Sequence, residues 1–133
     1  MFHMADPTYN ADRTRVVDPQ AQEWERLYAT FLHLSTLTFH FGIPVIPGLI
    51  MWLIKRDRSP FVDDHGREAV NFQISLLLYA LIIIPVVGII TCTLGFILYI
   101  PLYALGIVGM IMAAIAANRG EYYRYPATIR FLH

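Results

Sequence analysis

Polar and apolar positions along this chain fall into blocks. From Ser75 to Ala117 there is no Asp, Glu, Lys, Arg or His. Two membrane-spanning helices need about 40 apolar residues, since a ~30 Å hydrocarbon layer takes about 20 residues at helical rise. An uncharged joint at Thr91-Cys92-Thr93 divides the stretch. The pattern predicts a helical hairpin with membrane segments over 67–91 and 94–118. Pro85 and Pro101 predict bends in these helices.

An earlier apolar block covers 27–54. It is longer than a straight span, and its middle reads Phe41-Gly42-Ile43-Pro44-Val45-Ile46-Pro47-Gly48. Each proline removes a backbone donor and crowds the preceding turn, so the segment breaks or kinks there. A single tilted crossing, interrupted at Gly42–Gly48 and ending at Trp52, is the preferred reading. The alternative is a re-entrant dip or short fourth helix, which needs its broken backbone covered by protein or water. Upstream, residues 1–18 read as a flexible polar tail, and helical spacing begins near Pro19 with Trp24, Leu27, Tyr28 and Phe31. The expected organisation is thus one all-α membrane domain over 19–133, with three transmembrane helices.

Composition agrees with a membrane class: 56% of residues are hydrophobic and 15% charged, against about a quarter charged in soluble domains. Ten basic and ten acidic side chains give a formal net charge of zero, which offers no electrostatic footprint for nucleic acid. Lys55, Arg56, Arg58 and Arg67 precede the hairpin, Arg119, Arg124 and Arg130 follow it, and its joint has no basic residue. The positive-inside rule therefore places loop 55–67 and the C-terminus in the cytoplasm of a multi-pass inner-membrane protein. The side of the N-terminus depends on whether the first block crosses or re-enters.

Polar residues inside the apolar blocks are the candidates for function, because ionisable groups at membrane depth are costly. Thr30, His33, Thr36 and His40 share a broad face, with the two histidines about 10 Å apart along a helix. On the next helix His65, Glu68, Asn71, Ser75 and Tyr79 form a second stripe, with Glu68 expected to pair with Arg67 or His65. Two readings stand side by side: a polar groove between the stripes, or a hydrogen-bonded clasp pinning two helices. The candidate interaction face comprises His33, Ser35, His65, Glu68, Asn71, Gln73, Arg124 and Tyr125. Gly109-x-x-x-Ala113-x-x-x-Ala117 is a small-residue ridge suited to close helix packing, within the bundle or with a partner. No CxxC, HExxH, GxSxG or phosphate-loop motif occurs, and Cys92 is the single cysteine. No catalytic, cofactor or metal site is expected, and Asp63-Asp64-His65 is too local to converge on a metal.

The motifs WERLYATFLHLSTL, PGLIMWLIKRDRSPFVDDHGREAVNFQIS and AANRGEYYRYPATIRFL resemble the bacterial domain-of-unknown-function 4870 family, which is grouped with the plant Tic-twenty-type chloroplast import component. The resemblance covers roughly residues 22–133. Matching positions include His33, Leu34, Ser35, Trp52, Lys55, Ser59, Pro60, Asp63, Glu68, Asn71, Phe72, Gln73, Gly120, Tyr123, Tyr125 and Pro126, whereas His40 is outside the pattern. It implies a small helical membrane protein without an established bacterial activity. The leading expectation is a non-enzymatic structural or accessory component, embedded in the lipid bilayer as a homo-oligomer or within a larger membrane complex. The alternative is a translocation component whose polar helix faces line a path.

Overall fold

The computed structural model describes residues 16–132. Among them the architecture is all-α, with helices α1 (Glu23–Leu34), α2 (Ile46–Lys55), α3 (Pro60–Leu78), α4 (Ile84–Ile90) and α5 (Tyr99–Asn118). Most of the expected flexible tail, residues 1–15, lies outside the described residues. Its last part is fixed: Val17 forms an antiparallel bridge with Glu121, and the Tyr122 amide donates to the Val16 carbonyl at 2.8 Å.

The hairpin forms from two long rods. A π-helical turn over Tyr79–Ile83 joins α3 to α4, giving continuous helix from Pro60 to Ile90, 31 residues long. The turn lies directly before Pro85, where the missing proline N–H and ring crowding disturb the regular hydrogen-bond ladder. The second rod, Leu94–Asn118, begins with a 3-10 turn over Leu94–Leu98 and continues as α5. Both are long and apolar enough to cross a membrane. At the joint Cys92 and Thr93 have φ of 53° and 79°, and the Gly95 amide donates to Thr91 Oγ1. Gly88 and Gly95 let the rods meet backbone to backbone there, since a Cβ on Gly95 would lie 2.7 Å from the Gly88 nitrogen.

The first rod starts earlier than expected, at Pro60 rather than near 67. Ser59 caps it, its hydroxyl accepting from the Val62 amide at 3.2 Å, with Pro60 where a lost N–H costs nothing. Gly66 lies inside the helix and serves packing. Trp52 sits against it so closely that a Cβ would be 2.2 Å from the indole.

The first apolar block does not make one interrupted crossing. α1 continues as a 3-10 helix over Ser35–Phe41, Gly42 ends it at φ 84°, and the chain turns through Val45 at φ 66° into α2. α2 then runs back along α1: the Tyr28 hydroxyl near one end donates to the Met51 carbonyl at 2.6 Å, while Gly48 packs on Ser35 near the other. Three crossing helices are therefore replaced by two long rods and a shorter doubled-back hairpin. The ten residues of α2 rise only about 15 Å, half of a hydrocarbon layer.

α1 lies between the rods. The small-residue ridge of α5 receives it: Ala29, Ala113 and Ala117 are fully buried, and Thr30 Oγ1 reaches toward the Ala114 carbonyl. The ridge thus packs within the bundle. Aliphatic side chains farther along the rods, including Leu81, Ile89, Ile90, Leu94, Ile97 and Ile100, are exposed. Adding a methyl at Gly66 forces a bulky, well-packed indole aside and is expected to cost about 2–3 kcal/mol. Gly42→Ala meets open space and is expected to cost only about 1 kcal/mol, from the left-handed backbone. Thermal unfolding in detergent ranks the two, and a Gly42→Ala loss exceeding that of Gly66→Ala contradicts this packing.

Candidate functional site

Six of the eight candidate face residues, His33, His65, Glu68, Asn71, Arg124 and Tyr125, converge where α1, α3 and the C-terminal segment meet, while Ser35 and Gln73 pair with each other beside Gly48 of α2. The segment from Glu121 onward lies along α3, with Glu121, Tyr123 and Tyr125 buried and most of 126–131 exposed on the outer side. It descends along α3 from Asp64 to Tyr79, turns at Pro126-Ala127 and rises again to Asn71. Ala127 has φ 57°, which makes the reversal tight.

Docking of this irregular chain is achieved by side chains of α3. Glu68 Oε1 accepts from the Tyr125 amide at 2.6 Å. Ser75 Oγ accepts from the Ile129 amide at 2.8 Å. Asn71 Oδ1 accepts from the Phe131 and Leu132 amides, and its Nδ2 donates to the Leu132 carbonyl at 3.0 Å. Glu68, Asn71 and Ser75 lie three and four residues apart, so one helix face presents them in a row. They take the place a neighbouring strand would fill.

The α1 side is joined by a hydrogen-bonded chain of rings. His33 Nδ1 lies 2.7 Å from the Tyr125 hydroxyl, and His33 Nε2 lies 2.8 Å from His65 Nδ1. Both imidazoles are fully buried. Each neutral ring carries one proton, so the chain runs in either of two directions: from Tyr125 through His33 to His65, or the reverse. Tyr125 stacks on Phe72 with centroids 3.8 Å apart, and burial holds its phenol protonated, well above the ordinary tyrosine range. Tyr122 is likewise pushed up, by burial first and then by the Asp18 carboxylate that accepts its hydroxyl. Deeper, Gln73 Nε2 donates to Ser35 Oγ and Thr36 Oγ1.

Charged groups close the outer edge. Arg124 holds Asp64 through two nitrogens, at 2.7 and 2.8 Å, and this contact keeps the guanidinium firmly charged. Arg130 reaches the buried Glu68 carboxylate at 3.0 Å. The expected pairing of Glu68 with Arg67 or His65 is therefore replaced by Arg130 and a backbone amide. Arg67 turns instead to Asp63, one helical turn earlier, at 2.7 Å. Asp63, Asp64 and His65 diverge to Trp52 and Arg67, to Arg124, and to His33. Among the described residues no three His, Cys, Asp or Glu side chains are grouped to hold a metal.

His40 is separate. Its ring meets Tyr103 edge-on at 4.4 Å and lies against Gly106. The expected histidine stripe thus splits between two environments. Sequence reasoning placed Ser75 on the second stripe but outside the candidate face, and missed Arg130 and the backbone of 125–132 as parts of the site. Neither carried a periodic signal, whereas Ser75 did, on the Glu68-Asn71 stripe.

A model of the MamF/MmsF family, described as the magnetosome magnetite crystal formation protein family, matches residues 24–132. The matched span contains the buried ring chain, α3 and its docked segment. This match corrects the expected kinship: the family is not the domain-of-unknown-function 4870 group or its Tic-twenty-type relatives. No curated protein and no solved structure matches the chain.

Tyr125→Phe keeps the stacked ring but removes the only described partner of His33 Nδ1. Stranding a buried polar atom is expected to destabilise by about 1–3 kcal/mol. Arg124→Gln, which breaks a half-exposed pair, is expected to cost less than about 1 kcal/mol. Chemical denaturation in detergent measures both, and equal losses contradict the assignment of the ring chain as the stronger tie.

Proposed function

The chain belongs to the magnetosome magnetite crystal formation family, and from that membership we propose that it is a non-enzymatic accessory protein of the magnetite-forming membrane. Its rods anchor it in the bilayer, and the clasped end presents a rigid face to a larger membrane complex or to further copies. The observation that carries this reading is the closure of the polar face on itself. His33, Glu68 and Asn71 are at most 3% exposed, and their polar atoms are taken up by Tyr125, Arg130 and the 125–132 backbone. A conducting path needs such groups to face water. Polar side chains buried and bonded in this way support a structural role and not a water-facing path.

The doubled-back first block also bears on topology. The start of α1, the α2–α3 loop and the end of α5 lie at one end of the rods, as the Val17–Glu121 bridge and the Tyr28–Met51 bond require. With the basic flanks on that end, it faces the cytoplasm, N-terminal region included, and Cys92 lies at the opposite end. Cysteines placed at Gln20, Asp57 and Arg119 in a Cys92→Ser background are expected to label from one side. Opposite labelling of positions 20 and 57 restores a crossing first block.

Gene deletion in a magnetite-forming bacterium, with complementation, tests the role. Loss of the protein is expected to alter crystal size or shape while cellular iron uptake stays within about twofold of wild type. Unchanged crystals contradict the accessory role. Abolished iron uptake restored by wild-type protein favours transport instead.

A further inference from the structure

At the clasped end, a recess of about 330 Å³ opens between the C-terminus of α2, the first turns of α3 and Leu132. Trp52, Arg56, Asp57, Asp63 and Arg67 complete its lining. Its charges are balanced, two guanidiniums against two carboxylates. The inner pair is fixed: Asp63 accepts from Trp52 Nε1 at 2.8 Å and from Arg67 at 2.7 Å. The outer pair is open, because Arg56 and Asp57 are 3.9 Å apart and their side chains are 45% and 91% exposed. Arg56 lies over the Trp52 ring at 5.5 Å, which orients its guanidinium along the recess. Arg67 uses one nitrogen on Asp63, and a guanidinium has five N–H donors, so both arginines have donors to offer an anion.

The helix that ends at the recess, α2, also carries an apolar rail. Ile46, Ile50, Leu53 and Ile54 recur at helical spacing on one face of α2, and all four are about half exposed or more. A polar box carrying both signs, next to an exposed aliphatic strip at the end of the membrane rods, matches one class of amphiphile. We propose that this recess binds a zwitterionic glycerophospholipid with a primary-amine headgroup, phosphatidylethanolamine, its acyl chain lying along the α2 rail. The phosphate meets Arg56 and Arg67, and the ammonium meets Asp57 and Asp63. A primary ammonium brings N–H donors to both carboxylates, as a choline headgroup does not. An anionic glycerol headgroup places net negative charge beside two carboxylates and brings no cation to Asp57.

The proposal rests on the membrane placement above. Native mass spectrometry of the full chain, extracted in mild detergent, reads it with palmitoyl lysolipids carrying ethanolamine, choline or glycerol headgroups and with free phosphoethanolamine. Wild type is expected to retain the ethanolamine lysolipid at least about fivefold over the other two, the scale of an exposed charge pair. Asp57→Asn is expected to remove the preference over the glycerol headgroup, and Arg56→Gln to weaken all three phospholipids. Both positions lie outside the clasp, so unchanged unfolding temperatures separate these losses from misfolding. Equal retention of all headgroups, or a preference that survives Asp57→Asn, overturns the proposal. Free phosphoethanolamine competing as well as the lysolipid overturns the lipid assignment. Recovery of the protein without detergent in the soluble fraction overturns the membrane reading and this proposal with it; unselective retention by detergent-extracted protein overturns this proposal alone.

Discussion

An irregular backbone can pack its inner side against a helix only if the amides and carbonyls it turns inward find partners, and this requirement organises the clasped end of the molecule. Residues 125–132 form neither helix nor strand, yet the segment is packed along α3. Glu68, Asn71 and Ser75 resolve the conflict by accepting from four of its amides. Each of these side chains would itself be costly to bury alone. Docking the segment satisfies helix and segment together, so neither is stable in this form without the other.

The ring chain extends the same logic to α1. His33 is buried between Tyr125 of the docked segment and His65 of α3, and thus ties three separate parts of the sequence. Close approach of α1 depends in turn on small residues. Ala113 and Ala117 admit it against α5, and Gly109 leaves room for Phe72 and Tyr125. The apolar ridge supplies proximity and the polar bonds fix register, since a displaced α1 would strand buried nitrogens. A rigid end of this kind suits the accessory role proposed for this member of the magnetosome magnetite crystal formation family.

Much of the fold was legible in the sequence because its signals are local. The uncharged run marked the two rods, though not the start of the first at Pro60, and polar residues inside apolar blocks marked the clasp. Reversal of the first block was harder to read. Gly42, Pro44 and Pro47 announce a break, but whether the chain continues or returns depends on Tyr28 reaching Met51 and Ser35 meeting Gly48. Partners of Glu68 were missed for a related reason. Its neighbours on the helix, Arg67 and His65, are drawn to Asp63 and His33, while Arg130 arrives from a segment with no periodic pattern. Family kinship was misassigned on boundary motifs that the matched family also spans. Packing of α1 against the ridge could not be chosen over a partner until the fold placed them together.

The central claim is that α3 holds the C-terminal segment by its backbone. Amide hydrogen exchange of the protein in detergent tests it most directly. The amides of Tyr125, Ile129, Phe131 and Leu132 are predicted to exchange at least about a hundredfold more slowly than in an unstructured chain, and to lose that protection together in Asn71→Ala. Exchange of these four amides at the unstructured rate in the wild-type protein contradicts the account.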